Sequence, residues 1–139
     1  MYSQITANKR KTWFLILIFT VVIVGLGWVI GEYTGSGNFG LIIAVMIATT
    51  MNLIGYFHGD KVALGTAGAK SIQKTDNPRL YRMVENLAIT AGMQTPKVYV
   101  INDPAGNAFA TGRDPAHASI AVTTGLMDML DDQELQGVL

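Results

Sequence analysis

The 139-residue chain predicts an α+β fold carried on transmembrane helices. A two-span N-terminal helical hairpin is followed by a helix, three short strands and a helix. Two observations predict it. Charge is partitioned: between Thr12 and Phe57 the only charged residue is Glu32, whereas Ser71 to Leu139 holds eight acids and five bases. The apolar pattern also changes along the chain, from long unbroken runs to helical spacing, and then to short β-branched pieces between turns. Overall 14% of residues are charged, against about 25% in a typical soluble domain. The formal net charge is zero, so nothing points to a nucleic-acid partner. There is no Cys, which excludes disulfides and thiolate metal sites.

The first span is Trp13 to Ile30, an uncharged run of 18 residues, and the second is Phe39 to Phe57, a run of 19. At about 1.5 Å per residue each is close to the hydrocarbon thickness of a bilayer. Trp13, Trp28, Tyr33, Tyr56 and Phe57 lie near the run ends, where amphipathic rings favour the headgroup region. A cleaved signal peptide fits the first run poorly, because the run is long and no small-x-small site follows it. The lipid bilayer is thus the first expected partner. Gly27 and Gly31 form a G-x-x-x-G pair with two uses: packing within the hairpin, or a homo-oligomer contact. Thr49, Thr50 and Asn52 are the mildly polar residues of the second span, and no ionisable group lies at depth to carry ions or protons.

Lys9, Arg10 and Lys11 precede the first span, Lys61, Lys70 and Lys74 follow the second, and the connecting loop GEYTGSGN has no base. By the positive-inside rule both termini are expected in the cytoplasm. This gives three segments: residues 1–58 as the membrane anchor, 59–77 as a connector and 78–139 as a cytoplasmic domain.

The connector is rich in small residues and Lys, and its GTAGAK lacks the spacing of a phosphate loop. NPRLYRMVENLAITAG then reads as a helix: Asp76 or Asn77 caps it, Pro78 suits its first turn and Gly92 follows its end. Leu80, Met83, Val84, Leu87, Ala88 and Ala91 form its apolar face. Lys97 to Ile101 is a strand, Asn107 to Thr111 a second extended piece, and ASIAVTTGLMDML begins as a strand near Ala118 and turns helical near Thr124. Short turns between close strands suggest an antiparallel or mixed sheet with helices on one face.

Candidate chemistry is sparse. His58 stands beside Asp60 at the foot of the second span, and His117 lies in a turn. Neither has a His four residues away, so neither belongs to an H-E-x-x-H zinc motif. Ser71 and Ser119 lack a plausible His–acid setting. The chain closes on DDQELQGVL, where Asp131 or Asp132 caps a helix, Glu134 completes a capping box, and Leu135, Val138 and Leu139 share a face with no stop signal after them. The expectation is an unfinished helix and an incomplete domain.

NPRLYRMVENLAITAG, PKVYVINDPAGNAFATGRDP and HASIAVTTGLMDMLDDQELQGVL, together with the two spans, resemble the HtpX heat-shock proteases. These are membrane-bound zinc metallopeptidases related to the CAAX prenyl-protein endopeptidases. The resemblance implies that the cytoplasmic part belongs to a zincin-like protease domain, and that the last helix runs on into A-H-E-x-x-H just beyond Leu139. There two His and a later Glu would hold zinc, and the motif's Glu would act as general base. No catalytic residue and no metal ligand is then expected in this chain, and zinc belongs to the full-length protein. The resemblance further makes Asn107, Ala108, Phe109, Ala110 and Thr111 the edge strand that binds protein substrates in extended conformation. The other reading of that stretch has Phe109 filling the core and Asn107 capping a turn. The resemblance also implies a multi-pass protein of the prokaryotic plasma (inner) membrane that degrades misfolded or damaged membrane proteins, with this chain inactive by itself. The competing function is a noncatalytic, membrane-anchored module that binds a partner.

Overall fold

A computed structural model describes residues 2–139, with side chains from residue 4; Met1, where the predicted anchor begins, lies outside the described residues. The chain divides into two units, residues 1–56 and 57–139.

In the first unit, helix α1 (Tyr2–Tyr33) and helix α2 (Asn38–Thr66, running on into the second unit) form the transmembrane hairpin. Both are long and apolar enough to cross a membrane, and most of their large apolar side chains, Trp13, Leu17 and Phe39 among them, point outward. What lies between the helices is small. A Cβ on Gly27 would collide with Ala44 Cβ, and one on Gly40 would come within 2.8 Å of Gly31 Cα. Ala44 and Ala48 are buried in the same seam. Gly27 and Gly31 therefore serve the packing within the hairpin. Asn52 donates across the seam to Thr20 Oγ1 at 2.9 Å, and Thr20 in turn donates to the Ile16 carbonyl at 2.8 Å. Asn52 of the second span thus finds a partner within the hairpin, as lipid favours. Trp13 and Tyr56 meet at the open end with ring centroids 6.1 Å apart.

The second helix runs further than the apolar run predicts. HGDKVALGT is polar enough to mark a membrane boundary, yet it holds no Pro, and the helix continues through it to Thr66.

The second unit is built on a mixed four-stranded sheet: β1 (Lys70–Ser71), β2 (Lys97–Ile101), β3 (Ala108–Thr111) and β4 (Ser119–Thr123), in the order β1-β2-β4-β3. Three strands were expected, and the fourth comes from the connector. Lys70 and Ser71 pair antiparallel with Val100 and Tyr99, and Ile72 N–H donates to the Val98 carbonyl at 3.0 Å. A two-residue strand is too short to show an alternation; the open edge of β2 recruits it. Strands β2 and β4 run parallel, while β3 runs antiparallel to β4 on its far side.

Helix α3 (Pro78–Thr90) is started by Asn77, whose side chain accepts from Leu80 N–H at 3.1 Å. Helices α4 (Thr124–Met129) and α5 (Asp132–Val138) follow β4. Of the two candidate caps it is Asp131 that starts α5, in a capping box with Glu134. One sheet face meets α3 and α5 in a core of Leu80, Val84, Val98, Val122 and Leu135. Each such side chain contributes roughly 1.5–3 kcal/mol by leaving water. On the other face of β4 lie Ser119, Ala121 and Thr123, all buried, so β4 is covered on both faces, as befits a central strand.

Candidate substrate-binding edge

Strand β3 is one of the two edges of the sheet, and what it offers follows from its register. It pairs Ala108 with Val122, Phe109 with Ala121, Ala110 with Ile120 and Thr111 with Ser119. One step earlier, Thr123 N–H donates to the Asn107 carbonyl at 2.9 Å. In an antiparallel ladder, hydrogen-bonded pairs alternate with open ones. Asn107, Phe109 and Thr111 therefore turn their main-chain groups toward β4. Ala108 and Ala110 turn theirs away, and their N–H and C=O groups form the free edge. The four residues carry small or uncharged side chains, and Ala110 is exposed.

Side chains alternate between faces. Ala108 packs against the core on the α3 and α5 side. Phe109 lies on the opposite face, across from Ala121 and half-exposed, so it does not fill the main core. The Asn107 side chain is exposed, and it is the Asn107 main chain that is bound.

Both ends of β3 are fixed. At its start, the Thr123 hydroxyl accepts from Asn107 N–H at 2.9 Å, donates to the Asn107 carbonyl at 2.9 Å, and accepts from Leu126 N–H at 3.2 Å. The preceding loop is tied down beside it. The Asp103 carbonyl accepts from Gly125 N–H at 2.9 Å and from the Thr124 hydroxyl at 3.0 Å, and a Cβ on Gly125 would collide with the Pro104 carbonyl. At the far end Gly112 has φ +139°, and a Cβ there would lie 2.9 Å from Ala118 Cα. No other residue fits that exit.

Beyond Gly112 a polar cluster closes the turn into β4. His117 Nδ1 pairs with Asp114 Oδ1 at 2.7 Å, its Nε2 meets Arg113 Nη2 at 2.9 Å, and the Arg113 guanidinium lies 5.4 Å from the Phe57 ring centre. Because Arg113 can only donate, the contact at Nε2 requires the tautomer with hydrogen on Nδ1. The hydrogen bond from His117 holds the Asp114 carboxyl below its ordinary range; partial burial opposes this, while the His117 main-chain N–H and Arg113 reinforce it. His58 is exposed on α2. Among the described residues no three His, Asp or Glu side chains converge as a metal-binding set.

Sequence patterns alone pass over Thr123, Thr124 and Gly125 as a clamp. The signal was available: a Thr at a strand-to-helix switch is an N-cap pattern, and the Gly two residues on marks a close approach.

Residues 74–139 match peptidase family M48. Over its whole length the chain is 44% identical to a protease HtpX homolog of Tropheryma whipplei (strain Twist), covering 47% of that protein. It is 41% identical over 138 residues to a protease HtpX homolog of Dictyoglomus thermophilum, covering 99% of this chain and 46% of that protein. A Caldanaerobacter subterraneus homolog is also 41% identical, over all of this chain and 46% of its own length. The chain thus spans about half the length of the relatives it matches. With its two apolar helices, its mixed sheet and these matches, the chain is similar to the N-terminal portion of HtpX-type proteases, and its residues 74–139 to peptidase family M48.

Proposed function

We propose that the chain supplies the membrane anchor and the substrate-docking edge of a zinc metalloendopeptidase that cleaves misfolded or damaged membrane proteins at the cytoplasmic side of a prokaryotic plasma membrane. The observation that carries this reading is the free edge of β3. Its two outward N–H and C=O pairs, at Ala108 and Ala110, match the main chain of an extended peptide, and so add a strand to the sheet. Such docking is blind to most side chains, which suits a protease of unfolded segments. Asn107, Phe109 and Thr111 do not touch the substrate main chain in this reading; they hold the edge in register. Basic flanks and a base-free loop support both termini in the cytoplasm.

Zinc does not fit the side chains described, since no ligand set converges among them. In this proposal its ligands belong to sequence beyond these 139 residues, and the segment by itself is proteolytically inert. A reading frame that continues past Leu139 into A-H-E-x-x-H supports the protease, and a natural stop codon there supports a partner-binding module instead.

The kinetic test uses Pro, which removes an N–H. At Ala108 or Ala110 that N–H points away from β4, and edge strands tolerate Pro there. In the full-length zinc-loaded protein, Ala110→Pro should leave the fold intact and raise KM about two- to tenfold or abolish cleavage of an extended peptide, the loss of one hydrogen bond at about 0.5–1.5 kcal/mol or more where the ring also blocks the approach of the peptide. Unchanged kinetics for both Ala108→Pro and Ala110→Pro, in folded protein, would remove β3 from the site.

A further inference from the structure

We infer that Thr123 is the positioning residue of this edge: its hydroxyl sets where β3 begins, and so keeps the docking strand straight and in register before substrate arrives. The inference rests on the reading of β3 as the docking edge, and adds a residue that touches no substrate. Three facts carry it. Thr123 is buried, at 3% exposure. Its hydroxyl makes three hydrogen bonds, one donated and two accepted, which saturates it. Two of the three go to the main chain of Asn107, and the third caps α4.

The pairing is unusual in kind. A regular ladder would give Asn107 N–H a carbonyl on β4, but Thr123 ends the strand and α4 begins at Thr124. The side-chain oxygen takes the place of the missing carbonyl. One more residue of β3 is thus held at the point where the sheet runs out. Thr124 and Gly125, which fasten the loop before it at Asp103 and Pro104, complete the clamp. An unfastened Asn107 would let Ala108 swing, and substrate would then have to order the strand at its own expense.

The test compares Thr123→Val, which keeps shape and loses the hydroxyl, with Thr123→Ser, which restores the oxygen. Asn77→Ala is the stability control, since it removes the α3 cap and a similar stability, about 1 kcal/mol, far along the chain from β3. The full-length zinc-loaded protein is read by amide exchange at residues 107–111 and by KM and kcat on an extended peptide. The expected result for Thr123→Val is faster exchange at Asn107 and Ala108, a KM raised about tenfold and kcat within about twofold, with Thr123→Ser close to wild type and Asn77→Ala unchanged in KM. Exchange unaltered by Thr123→Val would overturn the inference. So would a KM rise equalled by Asn77→Ala, because the effect would then be general destabilisation. Faster exchange at Asn107 with unchanged KM upholds the positioning and sinks the docking role of β3 instead, which keeps the two failures apart.

Discussion

The hairpin seam and the sheet core are both packing interfaces, and they are built from opposite materials. The seam is made of Gly27, Gly31, Gly40, Ala44 and Ala48, with one hydrogen bond from Asn52 to Thr20. The core is made of Leu80, Val84, Val98, Val122 and Leu135. The difference follows from the solvent. In water, burying a large apolar side chain is itself the driving force. In lipid a Leu gains nothing by leaving the tails, so helices associate through close backbone contact and polar pairing, and small residues serve best. The hairpin accordingly turns its Trp, Phe, Leu and Ile outward, while the sheet domain turns Leu80, Leu135 and three Val inward.

The largest expected effect tests the core half of this contrast. Leu80 is 1% exposed, and Leu80→Ala should cost about 2–5 kcal/mol through lost transfer energy and a residual cavity. Denaturant titration in mild detergent, followed by amide exchange on β2 and β4, reads that loss. Exchange in α1 should not change. A loss below about 1 kcal/mol would mean that Leu80 is not central to the core.

The seam half is tested by adding bulk, since there is little to remove. Gly27→Leu keeps the span apolar but drives a side chain into Ala44. The helices must part, at a cost of about 1–3 kcal/mol if seams respond as overpacked cores do. Resistance of the hairpin to SDS should fall while the sheet domain keeps its exchange pattern. Cross-linking of the same samples distinguishes the other use of this face: if Gly27→Leu abolishes a dimer and leaves the hairpin intact, the glycines serve a second copy.

Much of this contrast was legible in the sequence. The two runs showed as spans because an uncharged stretch of that length has few other uses in a chain with charges elsewhere. The caps of α3 and α5 showed because Asn77 and Asp131 are local signals, each read by an N–H two or three residues away. Three things were hidden. Strand β1 has two residues, so no period can reveal it. The continuation of α2 to Thr66 was masked by His58, Asp60 and Lys61, whose polarity marks a boundary for lipid and not for a helix. The free edge of β3 was the third. Its outward groups depend on β4 inserting between β2 and β3, and strand order is fixed by contacts far apart in sequence. The family resemblance pointed to that edge where local pattern could not, and the identity of the two free residues, Ala108 and Ala110, needed the register.

Polar pairing in the two regions sharpens the comparison further. Replacing Asn52 with Leu removes its cross-seam hydrogen bond to Thr20. The expected loss is about 0.6 kcal/mol and at most about 1.7, the range found for such bonds in membranes, again read by SDS titration. A larger loss would mean that the bond, and not the glycine contact, holds the hairpin.

The smallest effect is confined to the water-exposed side and should depend on pH, which the Asn52–Thr20 pair cannot, since neither group ionises. Asp114 accepts from both His117 N–H and His117 Nδ1, and Arg113 lies 3.5 Å away. These contacts favour the carboxylate and lower its pKa in the folded protein from the ordinary value of 3.8. A depressed carboxylate contributes stability above its unfolded pKa and loses it as pH falls through the folded value. The contribution of Asp114 is therefore complete above about pH 5 and fades only in the acid range below 3.8. The side chain is about a third exposed, at 32%, so solvent screens the effect and it should be slight. Asp114→Asn keeps the side chain's shape and an acceptor oxygen but removes the charge. It should lower the melting temperature of the sheet domain slightly at neutral pH, and the gap from wild type should narrow as pH is lowered through 4 toward 3. A gap constant across that range would show that Asp114 acts here as a neutral acceptor only, so that this turn, like the seam, is held without charge.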